Sequence, residues 1–194
     1  MGMSSRELKD TETGLNETVI AYDGIAVIVH KDVSVDDLTK EQLQQVFAGT
    51  IRDWSELGGD SGAIVVIGRD PASGTRGAFE ELVKLDGKDP NPSAAYAQEK
   101  DSTGAVKATV QTTKNAIGYI SLEAVDDTVK TIKVAGVAPS VETVKDKTYV
   151  LFRPFLLVNS DSAELSAASN AFVAFILSED GQGIVRDNKL IPVN

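Results

Sequence analysis

The chain of 194 residues contains no cysteine, one histidine (His30), one tryptophan (Trp54) and two methionines. Without thiols it can form no disulfide, no thiolate zinc site and no cysteine nucleophile. A single imidazole excludes multi-histidine metal sites. No apolar run approaches the roughly 20 residues of a membrane span. Basic residues are also in deficit: 19 Lys and Arg stand against 29 Asp and Glu, a formal net charge of −10. Nothing forms a basic stripe able to neutralise a nucleic-acid backbone, so no nucleic-acid partner is expected. Small anions stay open, because a site can be locally positive on an acidic protein. The opening Met1-Gly2-Met3-Ser4 has no basic n-region, apolar h-region or cleavage site, so the expectation is either a cytosolic protein or one whose leader has been removed from this chain.

Strand and helix patterns alternate along the chain. Thr18–His30, rich in Val and Ile, reads as a strand interrupted at Asp23-Gly24. Leu38–Phe47 reads as a helix with a Thr39/Gln42 capping box, ended by Gly49. Asp53–Leu57 is a helical turn closed by Gly58-Gly59. Ala63–Ile67 is a short, continuously apolar strand of the doubly buried type. Ser73 or Gly74 opens a helix with Phe79, Leu82 and Val83 on one face. Gly87–Ser93, with Pro90 and Pro92, reads as a loop. A helix over Ala105–Thr113 precedes strands at Ile117–Ile120, with Gly118 as a break, and at Thr128–Val134. Pro154 confines the apolar run Tyr149–Val158 to an edge, a bulge or a crossover. Ala163–Leu177 is an Ala-rich helix punctuated by Gly181 and Gly183, and Leu190–Val193 closes the chain as a strand. Helices alternating with strands indicate an α/β fold with open sheets.

The chemical signal is Arg69-Asp70-Pro71-Ala72-Ser73-Gly74-Thr75-Arg76. It follows a buried-type strand and precedes an amphipathic helix. Ser73, Gly74 and Thr75 therefore stand at a helix N-terminus, where backbone N–H groups are free and the dipole is positive. Gly74 lets an anion approach the backbone, two hydroxyls can donate, and Arg69 can supply a guanidinium fork. The set suits a tetrahedral oxyanion. A helix cap, a tight turn and a local Arg69–Asp70 ion pair would explain the same residues with no ligand. The loop lacks the glycine and lysine spacing of a P-loop. Thr103-Gly104 before the next helix is a second anion-facing N-terminus or a plain cap. His30 reads as a surface residue and Trp54 as a packing residue. The acidic pairs Asp36-Asp37 and Asp126-Asp127 fall on loops. No catalytic residue, metal ligand set or cofactor is expected.

An ordered series of segments resembles bacterial phosphate-binding proteins, the substrate-binding components of phosphate-specific ABC transporters. It begins with Gly2-Met3-Ser4-Ser5-Arg6-Glu7-Leu8 and continues through Ala21–Val29, Leu38–Leu43 and Val46–Gly59. It then takes in Arg69–Phe79, Ala116–Ile120 and Arg153-Pro154-Phe155. The F-x-G-x-I-x-x-W-x-E-L-G-G run and the R-x-x-x-S-G-T-R loop are its most specific parts.

The resemblance implies a periplasmic-binding-protein-like fold of type II, two α/β lobes joined by crossing hinge strands and closing on phosphate. It implies a remnant of lobe 1 and the first hinge strand over residues 1–22. Lobe 2 would occupy 23–150, and the return hinge strand with the C-terminal part of lobe 1 would occupy 151–194. Carried over residue by residue, Arg69, Ser73, Gly74 and Thr75 would bind phosphate from lobe 2 and Ser5 from lobe 1, with Ser4 and Arg6 as further candidates. Pro71 departs from the family pattern, where an acidic residue or Gly is common, and Asp70 would then buffer Arg69.

Similar proteins begin with a further strand–loop–helix, so lobe 1 is expected to be incomplete here and phosphate binding weaker than in an intact relative. The apolar residues Leu165, Phe172, Val173, Phe175 and Ile176 would lose cover, and a homodimer through the incomplete lobe is expected. Implied partners are inorganic phosphate and the importer's membrane permease. The implied location is extracytoplasmic, with a lipoprotein anchor in the full-length form. Alternatives are a receptor for sulfate, molybdate or tungstate, or a fragment acting as an interaction module. An enzyme acting on phosphoesters is disfavoured for want of a metal cluster or an activated nucleophile.

Overall fold

A computed structural model of the protein describes residues 1–85 and 94–194; the loop expected at Gly87–Ser93 lies outside the described residues. In chain order the elements are β1 (Gly2–Ser4), β2 (Leu15–Val29), β3 (Asp37–Leu38), α1 (Lys40–Phe47), β4 (Val65–Arg69), α2 (Gly74–Leu82), β5 (Gln98–Lys100), α3 (Thr103–Thr112), β6 (Ala116–Ser121), β7 (Lys130–Thr131), β8 (Lys133–Val134), α4 (Val141–Lys145), β9 (Phe152–Ser160), α5 (Ala167–Leu177) and α6 (Glu179–Asp187). The chain folds as two units, Met1–Gly24 with Phe152–Asn194, and Ile25–Leu151.

The unit formed by Ile25–Leu151 carries a mixed sheet. The second half of β2 pairs antiparallel with β6 and β7, while β4 lies parallel between β6 and β5. Val65–Arg69 has neighbours on both sides, which explains its near-continuous apolar character. It starts two residues later than the sequence suggests. The core between sheet and α3 holds Ile28, Ile67, Val106, Val110, Ala116, Ile120 and Val129. Gly118 does not break β6; a Cβ there would sit 3.1 Å from both Val106 Cγ1 and Val110 Cγ2, so the glycine lets α3 lie close to the strand. The capping box expected at Thr39 is realised, and the structure adds a second one at Asp53. Thr39 and Gln42 exchange side-chain-to-backbone bonds at the start of α1, and Asp53 and Glu56 do the same for the short turn Trp54–Leu57. Trp54 is buried and donates through Nε1 to the Asn115 carbonyl at 3.0 Å, which is a packing role. Thr128–Val134 forms only the two-residue strands β7 and β8.

The other unit is a three-stranded antiparallel sheet in the order β1, β9, then the first half of β2. The strand β2 begins at Leu15 and runs through Asp23-Gly24 without a break; its register shift lies between Val19 and Ala21. Pro154 pairs with Tyr22 on β2, at a point past the end of β1, so no ladder bond is lost on that side. Asp23 and Arg153 face each other across the two strands. The Arg153 Nε and Nη2 groups donate to Asp23 Oδ2 at 3.2 and 3.1 Å, and the Asp23 carboxylate is buried. Burial raises its pKa, with the guanidinium opposing.

The helical segment after β9 differs from the sequence expectation. It starts at Ala167, because Ser166 takes the N-cap and leaves residues 163–165 outside. None of the α5 residues is buried, and Phe172 and Phe175 are each 49% exposed. Gly181 and Gly183 lie inside a second helix, α6, rather than ending the first. A Cβ at Gly181 would meet the Phe175 carbonyl oxygen at 2.2 Å and that of Ile176 at 2.5 Å. Gly181→Ala is therefore expected to lower stability by about 1–3 kcal/mol, the usual cost of overpacking against atoms that cannot rotate away. Urea unfolding of the variant beside the parent checks it. The closing strand expected at Leu190–Val193 reduces to a single bridge between Ile191 and Tyr22.

Candidate functional site

In the unit formed by Ile25–Leu151, the central parallel strand β4 ends at Arg69. A helix starts just beyond the carboxyl end of β4 and another beyond that of its neighbour β5, the region where open α/β sheets take ligands. The turn between β4 and α2 is built by its own residues. The Asp70 Oδ1 atom accepts from Ala72 N–H at 3.0 Å, and Ser73 N–H donates to the Asp70 carbonyl at 3.1 Å. Pro71, with its fixed φ, fits the first corner. Ser73 then caps α2, its hydroxyl accepting from Arg76 N–H at 3.3 Å. The amide groups of Gly74 and Thr75 and the Thr75 hydroxyl have no partner among the described residues. Three donors thus remain available at the positive end of α2.

The second helix start meets the same arginine. Ser102 caps α3, accepting from Ala105 N–H at 3.2 Å. Arg69 Nη1 donates to Thr103 Oγ1 at 3.1 Å and Nη2 to the Asp101 carbonyl at 3.2 Å. The Asp70 carboxylate lies 3.8 Å from Nη2. Arg69 Nε is buried and has no acceptor. An unsatisfied buried donor costs about 1–3 kcal/mol. The guanidinium is thus held on its Nη side and left unsatisfied on its Nε side, within a segment that presents free amides at a helix start. Such a set of donors suits an oxyanion.

The four residues Arg69, Ser73, Gly74 and Thr75 fall together at this end of the sheet, with Ser73 engaged as a cap and the others offering donors. Ser4, Ser5 and Arg6 lie in the other unit. Ser5 is exposed, while the Ser4 hydroxyl donates to the Arg6 carbonyl at 2.9 Å. Arg6 forms a two-pronged pair with Glu12, Nη1–Oε2 2.7 Å and Nη2–Oε1 2.8 Å. That pair, with the Lys9 amide, lowers the Glu12 pKa to about 2. His30 is partly buried at the end of β2, with its ring 19% exposed and Nδ1 accepting from Asp32 N–H at 3.2 Å. Asp36 and Asp126 pair with Lys130 and Lys107, both at 2.6 Å. Among the described residues no group of three acidic, His or Cys side chains could hold a metal ion, and no helix is long and apolar enough to cross a membrane.

Sequence reasoning missed β5, whose residues Gln98, Glu99 and Lys100 carry no hydrophobic signal, and with it the Asp101 carbonyl that holds Arg69. It also missed Tyr96, Tyr119 and Glu80. A signal was present: Lys100-Asp101-Ser102-Thr103-Gly104 repeats the strand–turn–Ser–helix order of Arg69 to Thr75.

Comparison with known proteins agrees with this geometry. Residues 1–180 match a family model described as PBP superfamily domain. The chain is 33% identical over 176 residues to the phosphate-binding protein PstS of Bacillus subtilis, covering 90% of this chain and 56% of that protein. The chain thus spans about half the length of this relative. Among solved structures, an ABC-type phosphate transport receptor from Vibrio cholerae superposes with a TM-score of 0.87 at 33% identity, over 97% of this chain and 78% of that one. A Clostridium perfringens protein whose crystal structure holds bound phosphate is 46% identical, with a TM-score of 0.73, over 100% of this chain and 79% of that one.

Proposed function

We propose that this chain, which belongs to the PBP superfamily among the phosphate-type substrate-binding proteins of ABC transporters, binds inorganic phosphate for import. The observation that carries the reading is the buried, unsatisfied Nε of Arg69 in the segment that leads to the free amides of Gly74 and Thr75. Arg69, Gly74 and Thr75 are the ligand groups, and Ser73 orders the helix start that presents two of them. Ser5, with Ser4 and Arg6 as further candidates, is proposed to bind phosphate as well. The protein acts as a receptor rather than an enzyme. It works outside the cytoplasmic membrane and hands its ligand to a membrane permease. A lipid anchor on the full-length protein would keep it there.

Phosphate near neutral pH still carries a proton, whereas sulfate does not. A carboxylate at the site accepts a hydrogen bond from the phosphate O–H and repels sulfate. We take the Asp70 carboxylate, 3.8 Å from Arg69 Nη2, as that acceptor. Calorimetric titration with phosphate, sulfate and molybdate tests the reading. A saturable heat is expected for phosphate and a binding constant at least about tenfold weaker for sulfate, a difference of about 1.4 kcal/mol. Equal binding of both ions, or a preference for molybdate, would replace phosphate by a general oxyanion as the ligand.

A further inference from the structure

Arg69 is held through its backbone as well as its side chain. Its amide donates to the Tyr119 hydroxyl at 3.3 Å, and its carbonyl accepts from Arg76 Nη1 at 2.8 Å. The Tyr119 and Tyr96 hydroxyls lie 3.1 Å apart, and Tyr96 donates to Glu80 Oε1 at 2.9 Å. The same Glu80 oxygen accepts from Arg76 Nε at 2.8 Å.

The direction of every bond follows from the acceptor-only carboxylate. Tyr96 spends its proton on Glu80, so its oxygen accepts from Tyr119, whose oxygen in turn accepts from the Arg69 amide. Burial raises the pKa of both phenols, which therefore keep their protons. The loop closes on itself: the two polar atoms of residue 69's backbone lead by separate routes to one Glu80–Arg76 ion pair.

Packing fixes the phenols. The Tyr119 ring stacks on Phe79 with centroids 4.1 Å apart, and Phe47 packs edge-on to Phe79 at 4.6 Å. The Arg76 guanidinium lies over the Tyr96 ring, 4.8 Å from its centroid. The Tyr96 ring in turn rests on Gly68: a Cβ there would fall 2.4 Å from two of its ring carbons. The residue that precedes Arg69 thus has no side chain because the ring that orients Arg69 occupies that space.

We infer that Tyr119, Tyr96, Glu80 and Arg76 are positioning residues which clamp the peptide of Arg69 and so aim its guanidinium at the bound anion. The inference rests on the phosphate reading above. The protein holds the guanidinium through its Nη groups alone, and Nε gains nothing from the protein by facing that way. A rigid backbone attachment keeps it there before the ligand arrives, and preorganisation of this kind raises affinity by removing an ordering cost.

The test is a double-mutant cycle read by phosphate titration of the parent, Tyr119→Phe, Arg69→Ala and the double variant. Loss of the Tyr119 hydroxyl is expected to weaken phosphate about three- to tenfold, the range of one neutral hydrogen bond. In the Arg69→Ala background the same change should have no further effect, because the clamp then holds nothing that touches the anion. Tyr96→Phe, one bond further away, should weaken phosphate in the same direction by less. Unchanged affinity in Tyr119→Phe overturns the proposal, and so does an equal loss with and without Arg69, since that marks a general structural effect. A parent that binds no phosphate overturns the functional reading itself, and with it the clamp. A parent that binds while Arg69→Ala binds equally well refutes the site but not the ligand.

Discussion

Arg69→Ala is expected to weaken inorganic phosphate about a hundredfold while changing the stability of the empty fold little. Two charge-assisted bonds at about 1.5 kcal/mol each amount to about 3 kcal/mol, or roughly two decades in affinity. The stability side runs the other way from an ordinary core truncation. The guanidinium's bonds to Thr103 Oγ1 and the Asp101 carbonyl are lost, but so is a buried Nε with no acceptor. These two changes nearly cancel. A binding residue that keeps one buried donor unsatisfied until the ligand is present is the trade-off seen where function and stability compete. Arg69→Lys should recover little of the affinity, because an ammonium cannot reproduce the fork. Thermal unfolding without phosphate, beside titration with it, separates the two effects. A large drop in stability would mean that Arg69 is a structural residue.

Arg153→Met is expected to destabilise the protein by about 3–5 kcal/mol at neutral pH. The substitution strips the partner from a buried carboxylate, which costs far more than the intact pair contributes. Asp23 is 6% exposed, and among the described residues its side-chain donors are the Nε and Nη2 groups of Arg153. Burial already raises the Asp23 pKa, and Arg153 is the group that lowers it. Without the guanidinium the folded-state pKa climbs further above the unfolded value of 3.8. The folded state then holds more protons than the unfolded one, so stability falls as pH rises. The variant should be closest to the parent below about pH 4 and lose stability through the raised folded-state pKa. Asp23→Asn in the same chain should restore most of the loss, since a neutral amide of the same shape carries no buried charge. Urea unfolding of the three proteins between acidic and neutral pH checks this. A single variant within about 0.5 kcal/mol of the parent at neutral pH would mean that the Asp23 site is wetter than it looks.

Local signals with a stereochemical cause were legible without the structure. Thr39 with Gln42 names its own helix start, because the reciprocal bonds need only those residues at that spacing. The apolar run before Arg69 named the buried parallel strand, and Ser73 named the cap that follows it. Signals that depend on neighbours far along the chain were not legible. Gly118 and Gly181 read as breaks because glycine weakens an isolated element, yet each sits inside one where another backbone or helix comes too close for a Cβ. Gln98–Lys100 is three polar residues and becomes a strand only because β4 offers an open side. The hydroxyls of Tyr96 and Tyr119 are 23 residues apart in sequence and meet only after β5 and β6 have taken their places on either side of β4. The recognisable loop therefore marked the donors facing the anion, while the network that holds Arg69 in place was invisible.

The central claim is that one phosphate ion engages Arg69 and the start of α2 together. Heteronuclear NMR of the labelled protein during a phosphate titration tests it most directly. The Arg69 Nε–H signal and the amides of Gly74 and Thr75 should shift along one common saturation curve, with an equal concentration of sulfate moving them far less. Saturable binding that leaves these three signals in place, or shifts them with different midpoints, would contradict it.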